Sequence, residues 1–322
     1  MSSRRAHRLS KADFERLRVA TGRVAVDPDV PLFAPSSITW RINREAAILA
    51  GGGVALLLQV AHPLVAAGVV AHSRFRTEPL QRLRNTLELM LTIVFSDAGD
   101  AIAAIREIER RHGRVRGTLE TDIGRYPRGT PYNANDPELM FWVLATLVDT
   151  ALRVYEMLIA PLDAADKTAY YEESKITARL FGIPEATVPH TWRDFQHYMN
   201  RMINGDALAV GPAGEEIAAS IVDPPLVPGL KQVLQLSNIF TIGLLQPPLR
   251  ERYGYSWSVV HEAGLTAAAT LGQLSIPWLP SIARLMPQAR AAMARHSSTG
   301  DTLEGKPAGR RVAAVRTHGS VA

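Results

Sequence analysis

The sequence predicts an all-α fold, a single-domain bundle of many helices. Apolar residues recur every three or four positions along almost all of the 322 residues, and no segment shows the strict alternation of a strand. Apolar side chains make up 47% of the chain, which is enough for a sizeable core. Because there is no cysteine, disulfides, cysteine-ligated zinc and thiolate nucleophiles are excluded.

Start signals and glycine or proline breaks divide the chain into helices. Ser10 followed by Asp13 predicts the capped start of a short N-terminal helix. Asp136-Pro137 predicts the start of a long helix that continues to Ile159, because it joins an N-cap acid to a proline at the first helical position. Further helices are predicted at 37–61, 63–73, 78–95, 98–116, 163–181, 190–204, 213–222, 229–245, 256–272 and 279–296. Residues 117–135 are predicted to form a long ordered loop.

Charge is unevenly distributed along the chain. The net charge is +5, of which residues 1–20 carry +4 and residues 297–322 carry +2, so the body between them is at −1. This argues against a nucleic-acid partner. We therefore expect a basic segment with a short helix (1–36), a helical domain (37–296) and a disordered tail (297–322). Without an apolar segment behind the basic start, a cytoplasmic location is expected.

One stretch admits two interpretations. Residues 46–71 contain no Lys, Arg, Asp or Glu, which is typical of a membrane span. Three consecutive glycines, Gly51 to Gly53, and Pro63 instead favour two or three short buried helices. Membrane contact through the basic ends would then be peripheral.

His112 occupies the apolar stripe of the helix predicted at 98–116. Ile105, Ile108, His112 and Val115 follow one another at spacings of three and four, and Arg116 lies one turn beyond His112. A neutral imidazole in this position could ligate a haem iron, with an arginine nearby to neutralise a propionate. It could equally be a core histidine bonded to a backbone carbonyl.

The other candidate residues also have two interpretations each. Arg82 and Thr86 share a helix face and could present a guanidinium and a hydroxyl to the cavity that His112 faces, or Arg82 and Arg84 could simply solvate the surface. His62 could be a rival iron ligand, a polar group of a pocket or a fully hydrogen-bonded core histidine. His190 and His197 flank Asp194 at spacings of four and three, a pattern that could hold a metal ion, but their amphipathic helix favours a solvated face.

Short motifs follow one another in a specific order between residues 40 and 250. They are Gly51-Gly52-Gly53, Ala61-His62-Pro63, Arg82-Leu-Arg-Asn-Thr86, His112-Gly-Arg-Val-Arg116, Asp136-Pro137 and Trp142-Val143. In this order they resemble the MpaB/rubber-oxygenase catalytic-domain family, and uncharacterised bacterial members more than the rubber-cleaving ones. The resemblance implies an all-helical fold with a buried haem-sized cavity and non-covalent haem b. Members of that family use dioxygen to cleave carbon–carbon double bonds of polyisoprene or of a prenyl chain.

The resemblance also implies roles for individual residues. The family's His-x-x-x-Arg motif falls on His112 and Arg116, which makes His112 the expected iron ligand. The Arg-x-x-x-Thr motif falls on Arg82 and Thr86, and Arg82 or Arg84 would join Arg116 in binding the haem.

The expected reaction takes place on the face opposite His112. Dioxygen or peroxide would be activated there beside Thr86, His62 and Arg82, in a cavity that selects a hydrophobic small molecule.

Two departures from the family pattern keep a second function open. Asn85 stands where the rubber-cleaving members have a lysine, and Leu144 follows Trp142-Val143 where relatives have a histidine. The alternative is a non-catalytic haem-binding or membrane-associated helical protein.

Overall fold

A computed structural model describes residues 9–72, 79–223 and 238–298, without the side chains of residues 79–85 and 296–298. The α-helices are α1 (Lys11–Thr21), α2 (Ile38–Asn43), α3 (Gly52–Val60), α4 (Pro63–His72), α5 (Pro79–Phe95), α6 (Ala98–His112), α7 (Pro137–Leu158), α8 (Ala164–Leu180), α9 (Trp192–Asn204), α10 (Pro212–Val222), α11 (Pro247–Arg252), α12 (Val259–Ser275), α13 (Ser281–Arg284) and α14 (Pro287–Ser298). Residues 238–243 are also helical. Two strands, β1 (Arg116–Thr118) and β2 (Pro131–Asn133), form a small sheet. The all-α prediction is confirmed.

Both predicted start signals are confirmed. Ser10 caps α1 in a reciprocal capping box with Asp13. Asp136 caps α7, its carboxylate accepting hydrogen bonds from the backbone N–H groups of Glu138 at 2.8 Å and Leu139 at 3.4 Å. Pro137 occupies the first turn, where its missing N–H costs nothing.

The core consists of two apolar clusters. The larger one surrounds α7, whose Trp142 and Val154 are fully buried, and it includes residues of α3, α8 and α9. The second lies between α1, α5 and α6 and includes Trp40 and Phe95, whose rings meet edge to face. The N-terminal helix is part of this second cluster, because its Leu17 is fully buried there.

The predicted helix 98–116 is wrong at its C-terminal end. α6 ends at His112, the Gly113 N–H bonds to the Glu109 carbonyl at 2.8 Å, and the Val115 N–H bonds to the His112 carbonyl at 2.9 Å. The chain then enters β1, which pairs antiparallel with β2 and places Gly117 opposite Tyr132. The segment predicted as a plain loop at 117–135 therefore contains most of a two-stranded sheet.

Three other predicted helices differ in detail. The helix predicted at 37–61 is divided into α2, a 3-10 turn at Ala46–Gly51 and α3. The one predicted at 279–296 is divided into α13 and α14, and α11 was not predicted at all. Residues 229–237 of another predicted helix, and residues 299–322 of the predicted tail, lie outside the described residues.

No described helix is by itself long and apolar enough to cross a membrane. The helical segments Ala46–Val60 and Pro63–His72 meet the length and composition test only when they are joined, and they are bent by 105° at their junction. Two or three short buried helices were predicted for residues 46–71. The structure has the 3-10 turn, α3 and α4 there, with Leu57 and Leu58 fully buried.

Candidate functional site

His112 is the last residue of α6 and is half-buried. Ile105, two turns earlier, is fully buried in the second core cluster, and Ile108 packs against the same cluster. The apolar stripe that the sequence predicts thus exists in this part of the helix, and it carries the imidazole to the inner side of the helix end.

The His112 ring has an unsatisfied nitrogen. Its Nδ1 atom is buried and has no hydrogen-bond partner among the described residues. Burial lowers the pKa of His112, although the nearby Glu109 carboxylate acts in the opposite direction. The ring is therefore neutral at physiological pH, which is the form that ligates a metal. Among the described residues, no backbone carbonyl accepts a hydrogen bond from Nδ1, as it would in one form of a hydrogen-bonded core histidine.

Arg82 and His112 lie at about the same distance from the connection between α5 and α6. α5 and α6 pack side by side as an antiparallel pair joined only through Ser96 and Asp97. Arg82 lies 13 residues before the end of α5, and His112 lies 14 residues after the start of α6, so both are about 20 Å from the connection. The side chains of Arg82 and Arg84 are outside the described residues.

Thr86 lies one turn closer to the connection than Arg82 and is exposed. Thr86 is thus carried by the same helix pair, about 6 Å below Arg82 along the α5 axis.

Arg116 lies on β1 and not on the helix where the sequence placed it. The prediction is wrong because Gly113 and the extended residues after it end α6 four residues earlier. The Arg116 side chain is exposed, and within the described residues no hydrogen bond or ion pair joins it to His112. Its carbonyl accepts a hydrogen bond from His72 Nε2 at 3.1 Å.

The C-terminal half of α4 packs against this sheet. A Cβ atom at Gly68 would lie 3.1 Å from a Val115 methyl, so a larger residue there would push α4 away. The His72 ring contacts Tyr132 edge to face, with ring centroids 6.3 Å apart. The end of α4, the end of α6 and β1 thus meet at one place, next to His112.

His62 is buried and has partners at both ring nitrogens. Nδ1 accepts the Leu64 N–H at 3.3 Å, and Nε2 lies 3.1 Å from the Tyr126 hydroxyl. The Tyr126 hydroxyl in turn lies 3.3 Å from the Ala207 carbonyl. With Nδ1 accepting, the assigned tautomer has its proton on Nε2. Burial lowers the pKa of His62 to about 4, so the ring stays neutral.

This arrangement matches the interpretation of His62 as a fully hydrogen-bonded core histidine. His62 and His112 lie near opposite ends of α4. His72, at the end that contacts β1, is ten residues after His62, which is about 15 Å along the helix. Tyr126 was not singled out from the sequence. A tyrosine beside a proline in a long loop was the signal that could have identified it.

Leu144, which replaces the relatives' histidine, is a partly buried residue of the larger core cluster. The preceding Trp142 is fully buried, and its Nε1 has no partner within the described part of the chain.

His190 and His197 are exposed and line an open groove at the start of α9. Asp194 between them is the capping-box residue of α9, with its carboxylate on the Thr191 hydroxyl at 2.7 Å. Among the described residues, no group of three or more His, Asp or Glu is placed to hold a metal ion. The buried haem-sized cavity is not seen in the described residues and stays a prediction.

Comparison with known proteins identifies the family to which the chain belongs. The profile of the family described as "ER-bound oxygenase mpaB/B'/Rubber oxygenase, catalytic domain" matches residues 39–274. Uncharacterised proteins of Mycobacterium tuberculosis and Mycobacterium bovis are each 26% identical over 236 residues, which is 71% of this chain and 85% of theirs. No solved structure matches the chain significantly. The matched region contains every helix from α3 to α11, His112 and both small strands, so this chain belongs to the mpaB and rubber oxygenase catalytic-domain family.

Proposed function

We propose that this protein is a haem b-dependent oxygenase that acts on a hydrophobic small molecule, with His112 as the iron ligand. The observation that carries the proposal is the buried Nδ1 atom of the half-buried His112 imidazole, which has no hydrogen-bond partner among the described residues. Ten buried side-chain atoms of the described residues lack a partner, and this is the one imidazole nitrogen among them, which is the type of atom that ligates haem iron. A ligand that completed it would remove a cost of about 1 to 3 kcal/mol. Membership of an oxygenase family supplies the reaction class.

The donor set fits a porphyrin better than a bare metal ion. A haem brings four nitrogen ligands with its iron and needs a single protein histidine on one side. His112 provides a neutral imidazole, since burial holds its pKa below the ordinary value. When bound, the haem supplies the activation of dioxygen or peroxide.

Arginines of this chain would balance the two haem carboxylates. Arg82 and Arg84 lie on the turn of α5 that is level with His112, and Arg116 follows on β1. The Arg116 side chain is exposed, and no ion pair joins it to another described residue, so its guanidinium could reach a carboxylate. Neighbouring Arg110 and Arg111 are already paired with Glu107 at 2.7 Å.

The opposite face would be formed from α4 and the start of α5. Thr86, which is exposed on α5, would offer a hydroxyl there. α4 would contribute apolar residues such as Val69 and Val70, which pack against the Val60 and Ile217 cluster and would favour a hydrophobic substrate. His62 would act as a positioning residue through Tyr126, whose hydroxyl accepts from His62 Nε2 and donates to the Ala207 carbonyl, so that the loop is tied to the chain between α9 and α10.

An optical spectrum of the purified protein tests this proposal. Wild-type protein, as isolated or after addition of haemin, should show a Soret band. His112→Ala should lose the band, whereas His197→Ala should keep it, because His197 is an exposed histidine of α9. Far-ultraviolet circular dichroism shows whether both variants remain folded.

The same measurement separates the two candidate functions. If the wild type binds no haemin, or if His112→Ala retains an unchanged band, the proposal is wrong. If the band is present but six-coordinate, and dioxygen, cyanide and peroxide leave it unchanged, the protein binds haem without turnover. Leu144, in place of the relatives' histidine, motivates that second candidate.

A further inference from the structure

An uninterrupted apolar stripe is exposed along α12. Val260, Ala263, Ala267, Leu271 and Leu274 are all exposed, Val260 by 80%, Leu271 by 66% and Leu274 by 67%. At 100° per residue, these five positions fall within about 80° of arc. An exposed stripe this narrow and continuous is the pattern of a helix that packs against another helix.

Large apolar side chains are also exposed in the residues that follow α12. Trp278 is 86% exposed and Ile282 is 70% exposed. Between Glu262 and Arg284 there is no charged residue. A large apolar side chain at this exposure presents roughly 100 to 200 Å², so Val260, Leu271, Leu274, Trp278 and Ile282 together present on the order of 600 Å². This is at the upper end of what a monomer exposes and approaches the roughly 800 Å² that each partner contributes to a standard protein interface.

The other face of α12 is fixed within the fold. Leu265 and Gly272 are buried, a Cβ at Gly272 would lie 3.0 Å from a Leu158 methyl, and Gln273 Nε2 donates to the Glu156 carbonyl at 2.9 Å. These contacts lie at the C-terminal end of α7, and the N-terminal end of α7 lies next to β2. Because the 22 residues of α7 span about 30 Å, this end of the exposed patch is about 30 Å from the small sheet beside His112.

We propose that this surface, which we call the α12 stripe, is the contact between two copies of this chain, paired antiparallel about a two-fold axis at Ala267. A two-fold axis at position 267 pairs residues whose numbers are symmetric about it. Val260 then faces Leu274 of the second copy, and Ala263 faces Leu271, so a large side chain always meets a smaller one. Ala267 faces itself at the closest approach of the helices.

The charge pattern favours a protein partner over a lipid surface. A helix that lies in a membrane interface carries Lys or Arg on its polar face, and α12 has none. Its only ionisable residues are His261 and Glu262, both engaged near the N-terminus: His261 Nδ1 lies 2.9 Å from the Ser258 hydroxyl, and Trp257 Nε1 donates to Glu262 at 2.6 Å. Antiparallel pairing also places each helix N-terminus beside the C-terminus of the other copy.

Because the chain contains no cysteine, a single introduced thiol can test the proposed two-fold axis. Ala267→Cys puts a single thiol on the proposed axis, so mild oxidation should give a disulfide-linked dimer in high yield. Ala291→Cys, at an exposed alanine of α14, is the matched control and should stay monomeric on a denaturing gel. Equal, low yields for the two variants would overturn the proposed axis.

Sedimentation of the full chain tests the interface without a crosslink. The wild type should be a dimer at micromolar concentration, and Ala267→Glu should raise the dimer dissociation constant at least about 100-fold, because two like charges would face each other. Ala291→Glu should leave the constant unchanged. A wild type that stays monomeric overturns the proposal. This holds if residues 224–237 of the same chain protect the α12 stripe from chemical labelling, and it holds equally if the monomer binds anionic phospholipid vesicles through the stripe.

Discussion

At the level of single residues, His62 and His112 differ in the hydrogen bonding of their ring nitrogens. His62 has a partner at each ring nitrogen, whereas the buried Nδ1 of His112 has none within the part of the chain that the structure describes. The sequence placed both on apolar segments and left a hydrogen-bonded core role open for each. Their different hydrogen bonding is the reason we propose iron ligation for His112 and a positioning role for His62.

The buried His62 should make stability depend on pH. Its pKa is about 4 in the folded protein against an ordinary 6.5, so above pH 6.5 neither the folded nor the unfolded chain is protonated there. As pH falls below 6.5, the unfolded chain gains a proton that the folded chain cannot accept until about pH 4. Between pH 7 and 4.5 this should remove about 2 kcal/mol of unfolding free energy.

Denaturant unfolding of the wild type and of His62→Asn at both pH values measures this contribution. The asparagine can still accept the Leu64 N–H but does not titrate. We expect the wild type to lose about 2 kcal/mol more than the variant on acidification. Equal losses in the two proteins would show that His62 is not a source of the acid sensitivity.

At the level of elements, the glycine run at the start of α3 determines how closely α3 approaches α7. A Cβ atom at Gly51 would lie 2.5 Å from a Thr150 methyl and 2.9 Å from a Val154 methyl. A Cβ at Gly53 would clash with Thr241, whereas Gly52 has open space around it. The three glycines are alike in sequence, but only Gly51 and Gly53 are required for packing.

Two alanine substitutions should consequently change stability in opposite directions. Gly51→Ala should lower the unfolding free energy by about 1 to 3 kcal/mol through overpacking against α7. Gly52→Ala should raise it by up to about 1 kcal/mol, because Gly52 already has helical dihedral angles of −58° and −43°. Thermal unfolding of the two variants in parallel tests this, and a loss of stability in Gly52→Ala would contradict the predicted packing.

At the level of the whole molecule, a buried ion pair ties the C-terminal region to the start of the helical domain. Glu45 is 1% exposed and accepts two hydrogen bonds from Arg284, at 2.8 and 2.9 Å, across 239 positions of sequence. The Met286 N–H bonds to the Arg44 carbonyl at 2.7 Å beside it. The region after the matched family domain is therefore part of the same folded unit.

Arg284→Ala should be among the most destabilising single changes on this chain. It leaves the buried Glu45 carboxylate without its bidentate partner, which typically costs 3 to 5 kcal/mol, so we expect a loss of about 3 kcal/mol. The exposed pair Arg18–Glu15 is the control, and Arg18→Ala should cost less than about 1 kcal/mol. Similar denaturant midpoints for the two variants would mean that the Glu45 carboxylate is solvated.

The sequence by itself determined the fold class, the capped starts of α1 and α7, and the family, because helical periodicity, N-cap residues and motif order are local properties of the chain. It also put His112 on the correct side of α6. Where α6 ends, and hence that Arg116 lies on a strand, was decided by the pairing of β1 with β2.

Only the tertiary structure decided which glycines are in tight contact, that His62 is bonded to Tyr126 and that the α12 stripe faces outward. Each of these depends on a partner far away in sequence. Periodicity shows that a helix has an apolar face, but what covers that face is determined by the packing of the whole chain.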